Sequence, residues 1–83
     1  MQKEEIIQKI NGFLIEEFEL EEAQLQPEAN LKSSLGIDSL DFVDIIVIIE
    51  KTFGFKVKGE ELALVKTLDE FYHYICARLN VPY

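Results

Sequence analysis

Ser39 stands in the string Leu35-Gly36-Ile37-Asp38-Ser39-Leu40-Asp41. An Asp three residues ahead of a second Asp, just before an apolar run, reads as a helix start with a capping box. If Asp38 caps, its carboxylate accepts from first-turn amides. Ser39 then takes the first helical position with its hydroxyl free to point into solvent. A helix start offers unpaired amide donors and a partial positive charge, which suits a phosphate ester on that hydroxyl. Asp38 and Asp41 oppose the extra negative charge, so attachment would need a metal or a basic partner while it happens. Asp-Ser pairs also begin many helices for capping alone, so the dipeptide by itself proves nothing.

Other chemistries fit poorly. Gly-x-Ser-x-Gly is absent, because Ile37 and Asp41 flank Ser39 at two residues. The single histidine, His73, falls in a helical pattern as a surface or half-buried residue, and no oxyanion hole is evident. The acids of residues 16–28 lack EF-hand spacing and the central glycine. Cys76 stands alone, which excludes an internal disulfide and makes it a small core residue. No catalytic residue and no stable metal site is expected.

The elements that must position Ser39 follow from periodicity. Ile6, Ile7, Ile10, Phe13, Leu14 and Phe18 mark one face of a helix over Lys3 to Phe18. Residues 19–37 have no clean period and hold Pro27, Asn30, Ser33, Ser34 and Gly36. They read as a long loop with anchors at Leu20, Leu25, Leu31, Leu35 and Ile37. The second helix is expected from Asp38 to about Phe53. Its run Ile45-Ile46-Val47-Ile48-Ile49 resembles a buried strand. The Asp38–Asp41 cap, Gly54 as a stop and a stripe of Leu40, Val43, Ile46, Ile49 and Phe53 favour helix. Gly59 to Leu64 makes one or two turns. Thr67-Leu68-Asp69-Glu70 is a capping box opening a last helix to about Leu79, before Pro82. The expectation is one all-α domain over residues 1–83: a four-helix bundle of three main helices and one short one, with a long loop between helices one and two.

Charge narrows the partners. The chain holds 16 acids against 8 bases, a net charge of -8. Residues 1–50 carry all of that excess, a net of -9, while residues 51–83 have a net of +1. Nucleic acid and anionic membrane surfaces would be repelled. Basic protein surfaces would be steered toward it. No signal peptide and no apolar run of membrane-spanning length is present, which points to a monomeric cytoplasmic protein without membrane insertion.

Gly36-Ile37-Asp38-Ser39-Leu40-Asp41 resembles the attachment motif of acyl carrier proteins. The likeness covers most of the chain: the acidic first helix, the long loop, the Phe53-Gly54-Phe55 turn, the Glu60-Glu61-Leu62 short helix and the Thr67-Leu68 helix start occur in matching order. The resemblance implies 4'-phosphopantetheine attached to Ser39, with Asp38 helping to hold Mg²⁺ during loading. It implies partner recognition by Leu40, Asp41, Asp44 and Glu50. Phe42, Val47 and Ile48 should lie at or beside the exposed face, as a partner patch or a pocket mouth, unless loops cover them. The implied partners are a phosphopantetheinyl transferase (a holo-acyl-carrier synthase) and acyl-transfer, ketosynthase and related enzymes with basic docking patches. The acyl chain, carried as a thioester, would shelter between helices two and three. Amino-acid carriers (D-alanyl or peptidyl) and unmodified binding modules of the same fold remain alternatives. Lys51 replaces a common acid, Gly59 a common proline, and helix two is unusually rich in β-branched residues. These departures leave fatty-acid, polyketide and specialised lipid pathways open.

Overall fold

A computed structural model describes residues 1–83. It contains helices and no strand: α1 (Lys3–Phe18), a 3-10 turn (Glu22–Gln24), α2 (Asp41–Phe53), α3 (Gly59–Ala63) and α4 (Leu68–Arg78). None is long and apolar enough to cross a membrane.

The apolar period of α1 has the consequence expected of it. Ile6, Ile10 and Leu14 are fully buried, and they pack with Phe71 and Ile75 of α4 in one core. Phe13 meets Phe71 edge-on, with ring centroids 6.4 Å apart. The start of α4 is fixed by its capping box. Thr67 Oγ1 accepts from the Glu70 amide at 3.2 Å, and Glu70 Oε1 accepts from Thr67 and Lys66 amides at 3.0 and 2.8 Å. Those two bonds hold the Glu70 carboxyl below its usual range.

The connection from α1 to α2 is more ordered than a structureless loop. Leu25, Leu31, Leu35 and Ile37 are buried as anchors, with Ala29 beside them, while Leu20 packs on the core part-buried. The 3-10 turn closes on its own box between Glu21 and Gln24. Further on, the loop pairs with the α3–α4 connection. Leu31 N–H donates to the Lys66 carbonyl and Leu68 N–H to the Ala29 carbonyl, both at 2.9 Å, around an antiparallel bridge of Asn30 with Thr67. Backbone groups that would otherwise need water are thereby satisfied.

Two expectations about α2 are corrected. Regular helical hydrogen bonding starts at Asp41, three residues later than expected, because Asp38 to Leu40 form a turn closed by Asp38 itself. The stripe of Leu40, Val43, Ile46, Ile49 and Phe53 is also not one buried face. Ile45 and Ile49 are buried, Phe42, Ile46 and Phe53 are half-buried, and Leu40 and Val43 are 79% and 61% exposed. Steps of three residues lag a full helical turn by about 60° each. Such a series therefore winds from the solvent side at Leu40 round to the core at Ile49. The helix ends where expected: Gly54 adopts φ 79°, a left-handed conformation that favours glycine, and its amide donates to the Glu50 carbonyl at 3.0 Å.

Candidate functional site

The turn that enters α2 is built by two aspartates. Asp38 Oδ1 accepts from the amides of Leu40 and Asp41, at 3.0 and 3.1 Å. Asp41 Oδ2 accepts in return from the Asp38 amide at 3.1 Å. This is a capping box with aspartate at both ends, and it satisfies three amides that the helix cannot. Ile37, fully buried, nails the chain down immediately before it. Gly36, at φ 71°, makes the left-handed turn that brings Ile37 back under the loop, where its amide donates to the Leu31 carbonyl at 2.9 Å.

Ser39 is exposed and its hydroxyl makes no hydrogen bond within the chain. The aspartates do the capping, so the hydroxyl is free for chemistry. Two other serines, Ser33 and Ser34, are also exposed. What separates Ser39 from them is its place. It lines a cleft of about 330 Å³ that runs between the α1–α2 loop, the start of α2 and the end of α3. Ile37, Phe42, Ala63 and Val65 give the cleft apolar walls, and Asp38, Asn30, Lys32 and Lys66 give it polar ones. A covalent group on Ser39 would have a wall to lie against.

Asp38 keeps Oδ2 without a hydrogen-bond partner in the chain, so one carboxylate oxygen remains for a cation. No cluster of three ligating side chains surrounds it. Other ligands would have to come from a phosphate or a second protein.

The exposed side of α2 continues from Ser39. Leu40, Val43 and Val47 (45% exposed) place apolar surface in solvent, with Asp44, Glu50 and Lys51 exposed among them. Asp41 and Ile48 lie half-buried at the margin, and Phe42 turns into the cleft. Val43 is the residue that sequence reasoning missed, because it was counted in the apolar stripe of α2 and not on the recognition face. A helical wheel at 3.6 residues per turn, centred on Leu40 and Val47, would have found it. The remaining reactive groups lie elsewhere. Cys76 is fully buried in α4, and burial pushes its thiol above the usual range, which keeps it neutral. His73 is exposed on α4 against Asp69 and the Tyr83 ring.

Comparison with known proteins agrees with this geometry. A family model described as the phosphopantetheine attachment site matches residues 8–75. The acyl carrier protein of Thermotoga maritima is 36% identical over 78 residues, covering 94% of this chain and 96% of its own length. That of Rubrobacter xylanophilus is 35% identical over 75 residues, covering 90% and 93%. That of Coprothermobacter proteolyticus is 34% identical over 70 residues, covering 84% and 85%. An all-helical chain with a free serine at the head of an acidic helix, matched over nearly its whole length, therefore belongs to the acyl carrier proteins, the family that bears a covalent phosphopantetheine group.

Proposed function

We propose that Ser39 is the attachment residue for 4'-phosphopantetheine, and that residues 1–83 act as one carrier domain. The observation that carries this is the unbonded, exposed Ser39 hydroxyl on a cleft, beside an Asp38 that has taken over the capping. The arm supplies a terminal thiol on which acyl groups ride as thioesters. The chain's own residues hold the attachment point still, offer one free oxygen of Asp38 to Mg²⁺ during loading, and present a docking face. Catalysis belongs to the visiting enzymes.

That docking face consists of Leu40, Asp41, Asp44, Val47, Ile48 and Glu50, with Val43 added by its exposure. An apolar centre with acids around it suits brief, charge-steered contact with basic patches on a phosphopantetheinyl transferase, acyl transferases and ketosynthases. Lys51 interrupts the acids at the far end. Partners with a strictly basic surface would therefore grip the Ser39 end more firmly than the Gly54 end. The reduced, buried Cys76 suits the cytoplasm.

The test is intact mass after incubation of the apo protein with coenzyme A, Mg²⁺ and a broad transferase. A gain of one phosphopantetheine that is lost in Ser39→Ala supports the assignment. No gain, under conditions that load a control carrier, refutes it.

A further inference from the structure

The cleft beside Ser39 carries positive charge for which the fold itself has no use. Lys32 lies on the α1–α2 loop and Lys66 on the α3–α4 connection, yet both line the same cleft as Ser39. They meet because backbone pairing joins their segments, with Leu31 N–H on the Lys66 carbonyl at 2.9 Å and Asn30 bridged to Thr67. Neither ammonium group is in an ion pair; the two pairs in the chain are His73–Asp69 and Arg78–Glu61. Lys32 is the only base between residues 31 and 50. Asn30 commits its Oδ1 to the Lys32 and Ser33 amides, each at 2.9 Å, which leaves its side-chain NH₂ as a donor without a partner in the chain. The acids nearby each spend one carboxylate oxygen on backbone amides, and Asp38 Oδ2 alone stays open on the cleft. Glu70, which feels the charge of Lys66, accepts from two backbone amides, and Asp38 Oδ1 accepts from two more.

A phosphodiester on Ser39 would bring a full negative charge to a chain of net charge -8, next to Asp38 and Asp41. Repulsion from those acids alone would drive it outward. Donors that line the same cleft are placed to supply the countercharge. We propose that Lys32 and Lys66, helped by the Asn30 amide, hold the phosphodiester of the arm and so lay the arm into the cleft. Lysine suits the task, because an ammonium is a strongly hydrated point charge on a flexible stem and holds a phosphate without the rigid fork of arginine. The grip is weak enough for a visiting enzyme to draw the arm out. This inference rests on the assignment of Ser39 as the attachment residue, and its test separates the two.

Load the wild type, Lys32→Gln, Lys66→Gln, the double variant and the control Lys9→Gln, and confirm the arm by intact mass. A wild-type protein that does not gain the arm while a control carrier does refutes the attachment and the cradle together. With the arm on, the Lys32 and Lys66 side-chain resonances should move between apo and holo protein. The phosphorus resonance should move in the double variant and stay put in Lys9→Gln. The arm's thiol should react with a soluble disulfide about two- to fivefold faster in the double variant, the scale of exposed ion pairs. An unchanged phosphorus resonance and an unchanged thiol rate in a loaded double variant overturn the cradle and leave the attachment standing. Shifts that appear only when the cargo itself bears a carboxylate also overturn it, because the lysines would then be reading the cargo.

Discussion

Asp38 is given two duties, and one pair of substitutions separates them. Asp38→Ala removes the side-chain acceptor of the Leu40 and Asp41 amides, although the Asp41 amide keeps the Asp38 carbonyl at 3.1 Å. The residue is exposed, so water replaces the carboxylate and no buried group is stranded. The cost is that of an exposed cap, about 1 kcal/mol. In a domain of this size that lowers the melting temperature by about 4–8 °C. Asp38→Asn keeps an oxygen where Oδ1 stands, and asparagine caps about as well as aspartate, so its stability should stay within about 0.5 kcal/mol of wild type. It removes the charge, however, and with it the oxygen offered to Mg²⁺. Loading of Ser39 should slow by about tenfold or more, the scale of a lost group around a bound metal. Thermal and urea unfolding of the apo variants, followed by circular dichroism, measures the first effect. The rate of mass gain with a transferase measures the second. An Asp38→Ala melting temperature equal to wild type would refute the capping argument. An Asp38→Asn protein that loads at the wild-type rate would refute the charge argument.

Other substitutions probe the core, the docking face and the caps. Phe71→Ala removes a fully buried ring that meets Phe13, and should cost about 3–5 kcal/mol, which is most of the stability of a small domain; urea unfolding would show it. Asp44→Lys changes an exposed charge in the first turn of α2, so it should cost under about 1 kcal/mol. The same change should slow association with a basic partner by about tenfold at low salt and less at high salt, measured by stopped-flow mixing. Glu70 has its folded-state pKa lowered from 4.5, so its stabilisation is complete above that value and is lost as pH falls through the lower folded value. The difference in urea midpoint between wild type and Glu70→Gln should accordingly shrink across that acid range. Tyr83 is shifted the other way: burial first, then its 2.6 Å bond to Asp69, pushes its hydroxyl from 10.0 up to about 12. Its contribution is complete below pH 10 and lost as pH rises toward 12, and Tyr83→Phe should remove that alkaline loss.

Much of this was legible from local signals. The α1 stripe, the Thr67–Glu70 box, the Gly54 stop and the Asp38–Asp41 box each depend on residues within one or two turns of each other. Sequence carries that information directly. The loop anchors were legible for a related reason, since isolated apolar residues in a polar stretch have nowhere else to go. The faces of α2 were not. A helix with valine and isoleucine on nearly every side has no sharp period, so three-residue spacing joined exposed Leu40 and Val43 to buried Ile49 in one stripe. The strand-like run of residues 45–49 is helical because its flanking caps and the burial of Ile45 and Ile49 outweigh β-branched preference. The pairing of Asn30 with Thr67 had no signal at all. It joins positions far apart in sequence, and with the neighbouring Leu31–Lys66 and Leu68–Ala29 backbone bonds it brings Lys32 and Lys66 to one cleft.

The central claim is that the arm hangs from Ser39, and the chain offers two decoys in Ser33 and Ser34, both exposed. Proteolysis of the loaded protein and fragmentation of the peptide that spans all three serines tests it most directly. The added mass is expected on Ser39 alone. The added mass on Ser33 or Ser34, or spread among the three, would contradict it.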